Sequence, residues 1–195
     1  IAPIFTGILA HFFLEGEKMK KSIVLGFVCA MAGICLITFQ KGETVELNPL
    51  GDFLGVAAAA IWGVYSICSR KIAGFGYDTI ITTRRTFFYG ILFMLCALPF
   101  MDFHLSLSAL LKPVNLGNII YLGVGASAIC FVTWNYAVKS LGATRASVYI
   151  YGIPVVTILM SIPLLHEVIT FQAMAGTVLT LVGLLISEWP FSPKK

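Results

Sequence analysis

Charge is what this chain lacks. Of its 195 residues only 11% are Asp, Glu, Lys or Arg, while 58% are apolar, and the charged share is less than half of that usual in a soluble domain. A water-facing surface needs many more polar side chains, so a soluble globular fold is excluded, whereas a bilayer solvates the surplus aliphatic and aromatic groups. Histidine is also scarce. His11, His104 and His166 are scattered, and no cluster of His, Asp or Glu, nor a serine with a base beside it, lies within an apolar run, which argues against a membrane-embedded enzyme. The five cysteines, Cys29, Cys35, Cys68, Cys96 and Cys130, lack metal-type pairing. All fall inside apolar runs and are expected to be small buried side chains, with no metal and no cofactor implied. An initiator methionine is missing too. Ile1 opens directly in an apolar stretch without the basic flank or small-residue cleavage site of a signal peptide, so the sequence reads as a fragment.

Long uncharged or nearly uncharged runs fill the chain instead, at 1–14, 23–39, 50–69, 79–101, 113–138, 146–165 and 168–187. A helix needs about 20 residues to cross the hydrocarbon core, and transmembrane strands would show ten-residue alternation, so the expected fold is an all-α polytopic bundle of seven helices. The first run has the length of a re-entrant segment, or of a span cut short at Ile1. Net charge is +4, but the basic residues sit in short groups between spans and not along one face, a topology signal with no nucleic-acid character. Lys18, Lys20, Lys21, Arg70, Lys71, Arg84, Arg85, Lys139, Arg145, Lys194 and Lys195 fall on one side, against Lys41 and Lys112 on the other. Basic loops mark the cytoplasm, so a cytoplasmic C-terminus is expected for a multi-pass protein of the cytoplasmic membrane.

The chain also resembles itself. Glu17, Gly26 and Gly33 recur as Glu167, Gly176 and Gly183, each displaced by 150 positions, and Pro3 and Thr6 recur as Pro154 and Thr157, displaced by 151. Five spans separate equivalent points, and an odd number of crossings inverts one copy relative to the other, as in many secondary transporters. Extending the period backwards puts the partner of Asn48 about 100 residues before Ile1, so roughly three spans and part of a fourth are expected upstream.

The block Trp134, Asn135, Tyr136, Leu141, Gly142, Ala143 and Ser147 to Pro154, followed by Glu167, Gly176 and Gly183, resembles the last three helices of the EamA domain of the drug/metabolite transporter superfamily. The resemblance implies ten helices, two inverted five-helix copies around a cavity, and both termini in the cytoplasm. Residues 1–39 are then the last two helices of the first copy, 40–47 a linker, 48–189 the complete second copy and 190–195 a cytoplasmic tail. It further implies export or exchange of small metabolites such as amino acids or nucleosides, with protons as the candidate coupling ion.

Several residues are candidates for that work. Gly26 with Gly33, and Gly176 with Gly183, lie two turns apart on one helix face and read as packing seams. Pro154 deprives the Ile150 carbonyl of its helical partner, and Pro3 holds the equivalent place, so an interrupted helix at a binding site is weighed against a plain kink. Trp62 and Tyr65 share a helix face, Trp134 and Asn135 lie deep in the fifth span, and Tyr149 and Tyr151 are close to Gly152. These aromatics are an expected cavity lining, against the alternative of core packing or interfacial anchoring. Asn135 binds solute or holds helices together. Arg84 and Arg85, after a cap at Asp78, snorkel to headgroups or meet an anionic solute or Asp52. Glu17 and Glu167 are expected to cap the helix following each of them rather than relay protons. A seven-helix receptor fits the span count, but neither the 150-residue repeat nor the absence of a central lysine suits it. A non-transporting membrane scaffold also satisfies composition, leaving the repeat as the feature that favours a carrier.

Overall fold

The computed structural model describes residues 1–17, 20–38, 48–101, 106–165 and 170–188. Among them seven apolar helices follow in chain order: α1 Ala2–Phe13, α2 Lys21–Thr38, α3 Pro49–Gly74, α4 Thr79–Ala97 with a 3-10 turn Leu98–Phe100, α5 Pro113–Leu141, α6 and α7. Helix α6 is built from Ala143–Val148, a 3-10 turn Tyr149–Gly152 and Ile153–Leu165, and α7 is Phe171–Glu188. A single helical turn, Leu107–Leu110, lies between α4 and α5. Six of the seven are long and apolar enough to cross a bilayer, and the chain is a multi-pass bundle of transmembrane helices.

Helix ends follow local chemistry. At the start of α3 the Asn48 side chain accepts from the Gly51 amide at 3.2 Å, with Pro49 supplying a pre-set φ at the first helical position. This helix continues past the uncharged run as far as Gly74, because Arg70 and Lys71 are favourable near the negative end of the helix dipole. Asp78 caps α4 as expected, accepting from the Ile81 amide at 3.0 Å. In α5 the residues Tyr121–Ile129 form a π-helical stretch that no periodicity in the sequence announces.

The helices gather in two compact bodies. The first, Ile1–Cys68 with Leu141–Lys195, contains α1, α2, most of α3, α6 and α7. Its seam is the contact of α2 with α7. A β-carbon on Gly183 would lie 2.6 Å from the Gly26 carbonyl oxygen, and one on Gly176 would lie 2.7 Å from that of Gly33. Only glycine allows backbones this close. Because Gly26 meets Gly183 while Gly33 meets Gly176, the helices run antiparallel. Exchanging each residue for its repeat partner returns the same set of contacts, which is the signature of a local two-fold axis. Ser22, Ala30, Thr180 and Ser187 are buried beside the glycines, and the Cys29 thiol reaches the Leu179 carbonyl at 3.6 Å.

The second body, Ser69–Ser140, contains the end of α3, α4 and most of α5. Arg70 donates from Nη1 to the Lys139 carbonyl at 2.6 Å and to that of Val138 at 3.4 Å, while Lys139 Nζ donates to the Tyr77 carbonyl at 3.4 Å. These cations therefore tie the end of α5 to the α3–α4 turn, and Arg70 and Lys139, counted on one membrane side from the sequence, meet at one end of this body.

Burial of the cysteines requires correction. Cys35, Cys68, Cys96 and Cys130 are exposed on helix surfaces, and Cys29 is half-buried. Lipid and protein interior are equally apolar, so an apolar run around a cysteine does not distinguish the face turned inward from the face turned outward.

Candidate functional site

Glu17, in the loop after α1, reaches the start of α6. The sequence predicts Glu17 as a cap for the helix that follows it; in the structure its carboxylate sits at the start of α6. Oε1 accepts from the Ala143 amide at 3.2 Å, and Oε2 accepts from the Thr144 amide at 3.0 Å. The opening amides of α6 lack intrahelical partners, and the positive end of its dipole favours the carboxylate. Gly142 opens the approach. Its φ of +91° is poorly suited to other residues, and a β-carbon there would stand 2.6 Å from Glu17 Oε1. Glu167 lies outside the described residues.

In α6 the Ile150 carbonyl is not left free, as Pro154 suggested; the Ile153 amide takes it in the 3-10 turn. Tightening from four residues to three moves the helical bond to a donor that Pro154 does not remove. Three residues per turn also send Tyr149 and Tyr151, two apart, to different sides of the helix. Tyr151 is 3% exposed and Tyr149 49%. Tyr151 packs beside Phe27 at 5.9 Å between ring centroids, and its hydroxyl has no hydrogen-bond partner among the described residues. Pro3, buried near the start of α1, joins Tyr151, Phe27 and Gly7 in lining an apolar pocket of about 260 Å³.

On α3, the rings of Trp62 and Tyr65 lie 5.6 Å apart between centroids, tilted by 42°. They flank the place where Gly63 crosses α1, a β-carbon on Gly63 standing 3.2 Å from the Thr6 amide nitrogen. Thr6 is consequently fully buried. Its repeat equivalent Thr157 is exposed, although both hydroxyls donate to the carbonyl four residues back, at 3.1 and 3.0 Å. Thr157 lies with Tyr149, Val156, Met160 and Ser161 along an open groove of about 650 Å³ on α6, whose described lining carries no charged side chain. Pro154 is half-buried on the same helix.

In the second body Asn135 is 7% exposed. Its Oδ1 accepts from Ser69 Oγ at 2.5 Å and its Nδ2 donates to Thr83 Oγ1 at 2.9 Å, so both ends of the amide bridge α5 to α3 and α4. Trp134 beside it is half-buried. Arg84 and Arg85 are exposed on α4.

Gly142, Ser69, Thr83, Thr157 and Ser161 were not singled out as site residues by the sequence. Thr157 had a signal in its pairing with Thr6. The hydroxyls of Ser69 and Thr83 had none, because serine and threonine are common in membrane helices, where they bond back to their own carbonyls.

Residues 49–189 match the EamA-like transporter family, and the chain belongs to it. It is 30% identical over 187 residues to an uncharacterized transporter of Archaeoglobus fulgidus, covering 95% of this chain and 64% of that one. It is 28% identical over 190 residues to the uncharacterized transporter YyaM of Bacillus subtilis strain 168, covering 95% and 61%. A probable terminal-alkyne amino-acid exporter of Streptantibioticus cattleyicolor is 28% identical over 186 residues, covering 95% and 60%. The chain thus spans about six tenths of the length of these relatives. One crystal structure shares the fold with a TM-score of 0.73 at 22% identity, covering 95% of this chain and 62% of the other.

Proposed function

We propose that the protein is a secondary carrier that exports or exchanges small metabolites, such as amino acids or nucleosides, across the cytoplasmic membrane by alternating access. The observation that carries this reading is the two-fold seam of α2 with α7, where residues repeated at 150 positions face one another antiparallel. Inverted repeats of this kind are the architecture of many secondary transporters, whose solute sites lie near the membrane centre beside interrupted helices. In this reading residues 1–39 close one five-helix copy, 40–47 link it to a second copy at 48–189, and 190–195 form a cytoplasmic tail. The family match over 49–189 supports that second unit, and the asymmetry of basic loops supports the orientation.

The interrupted helix is α6, and the groove on its Tyr149 face carries no charged side chain among its described lining. Solute contact is assigned to Tyr149 there and to the neighbouring rings of Trp62 and Tyr65, surfaces suited to an amphipathic and not a strongly anionic solute. Pro3, Pro154 and Tyr151 act through the helices they shape. The relative named as an amino-acid exporter supports amino acids as the first class to test, and protons are the proposed coupling ion.

Counterflow in liposomes loaded with single amino acids or uridine is the direct test. Accumulation of the matching radiolabelled solute above protein-free vesicles, altered by an imposed pH gradient, is expected. Accumulation of none of these probes defeats the carrier reading. A C-terminal tag found outside the cell defeats the orientation.

A further inference from the structure

We propose that Glu17 is a positioning residue for transport: with the α2–α7 seam it locks α1, α2, α6 and α7 into one body that stays intact while solute is carried. This rests on the carrier reading above and narrows it, because the two sequence copies then do not swing apart as separate halves along α2 and α7.

Two independent contacts support the lock, and each joins a helix or loop of the first copy to a helix of the second. Both Glu17 carboxylate oxygens accept from the first amides of α6, and Gly142, at φ +91°, leaves open the place where a β-carbon would stand 2.6 Å from Oε1. Charge-assisted bonds to backbone amides are among the stronger hydrogen bonds in proteins. The second contact resists sliding. The glycines of each helix lie seven residues apart, so a helix must travel about 10.5 Å before glycine again faces glycine, and then only one of the two pairs is recovered. Helices in packed interfaces ordinarily shift by about 1–2 Å. Parting the helices instead would leave Ser22, Ala30, Thr180 and Ser187, all buried at the seam, without the partners that drive association in lipid.

The test uses native Cys29, whose thiol already touches the Leu179 carbonyl. Leu179→Cys is introduced with the other four cysteines changed to alanine, and the pair is bridged by a short bis-thiosulfonate reagent. Counterflow of radiolabelled leucine, phenylalanine and uridine is expected to stay within about twofold of the unbridged protein. A loss of about tenfold or more that reduction restores would overturn the proposal. Absence of flux from the unbridged protein as well condemns the carrier reading alone. The lock is then judged by spin labels at Val28 and Val182, both exposed on the seam helices. One narrow distance distribution, with or without a pH gradient, is expected; a second population displaced by more than about 5 Å contradicts it. For Glu17 itself, Glu17→Ala is expected to lower the maximal rate with KM unchanged, and Glu17→Gln to restore most of it. A change in KM alone would place Glu17 in contact with solute and remove it from the lock.

Discussion

Asn135 donates to Thr83 through its side-chain nitrogen at 2.9 Å while its oxygen is held by Ser69. Three helices of the second body therefore meet on one amide, in a region where unpaired polar groups are costly. Asn135→Ala is expected to destabilise the protein by about 1 kcal/mol, the scale of interhelical hydrogen bonds in membranes. Thermal unfolding in detergent reads the loss. A variant with unchanged stability but a raised KM would instead assign Asn135 to solute.

Gly142→Ala forces a side chain onto a backbone with φ +91° and sets its β-carbon 2.6 Å from Glu17 Oε1. A cost of at least about 2 kcal/mol follows from strain and the disturbed carboxylate together. The two effects separate in a double-mutant cycle with Glu17→Ala, where the alanine at 142 should cost less than it does alone. Full additivity would mean that the residues do not interact.

Gly183→Leu places a bulky side chain against the α2 backbone, where even a β-carbon would stand 2.5 Å from the Ala30 nitrogen. Overpacking of this severity is expected to abolish folded protein in the membrane, measured as yield after mild solubilisation. Normal yield with altered solute preference would remove the packing role.

Tyr151 carries the opposite expectation. Its hydroxyl is buried with no partner among the described residues, so Tyr151→Phe removes an unsatisfied polar group and retains the ring that packs on Phe27. Stability should be unchanged or higher by about 1 kcal/mol. A clear loss of thermal stability would reveal that the hydroxyl is used.

The membrane helices were legible because crossing a bilayer fixes the number of uncharged residues, a constraint that tertiary packing does not disturb. The glycine seam was legible in kind from the spacing of Gly26, Gly33, Gly176 and Gly183, though the sequence did not say that the two pairs face each other. For Glu17 the chemistry was readable and the contact with α6 was not: a carboxylate after a turn seeks open amides, and those of Ala143 and Thr144 lie more than 120 residues along the chain. The turn at Tyr149–Gly152 was not legible, because proline identifies a missing donor without specifying how the helix compensates. Nor do apolar runs disclose which cysteines face outward, since hydropathy changes little between lipid and helix interior.

The seam has a consequence beyond this chain. Each of its halves presents the same patch to the other, which is the isologous contact of a cyclic dimer, made here within one polypeptide. On the two-copy reading proposed above, a gene encoding a single five-helix unit would thus carry the whole interface, and two such products inserted in opposite orientations could assemble by it without any peptide bond between them.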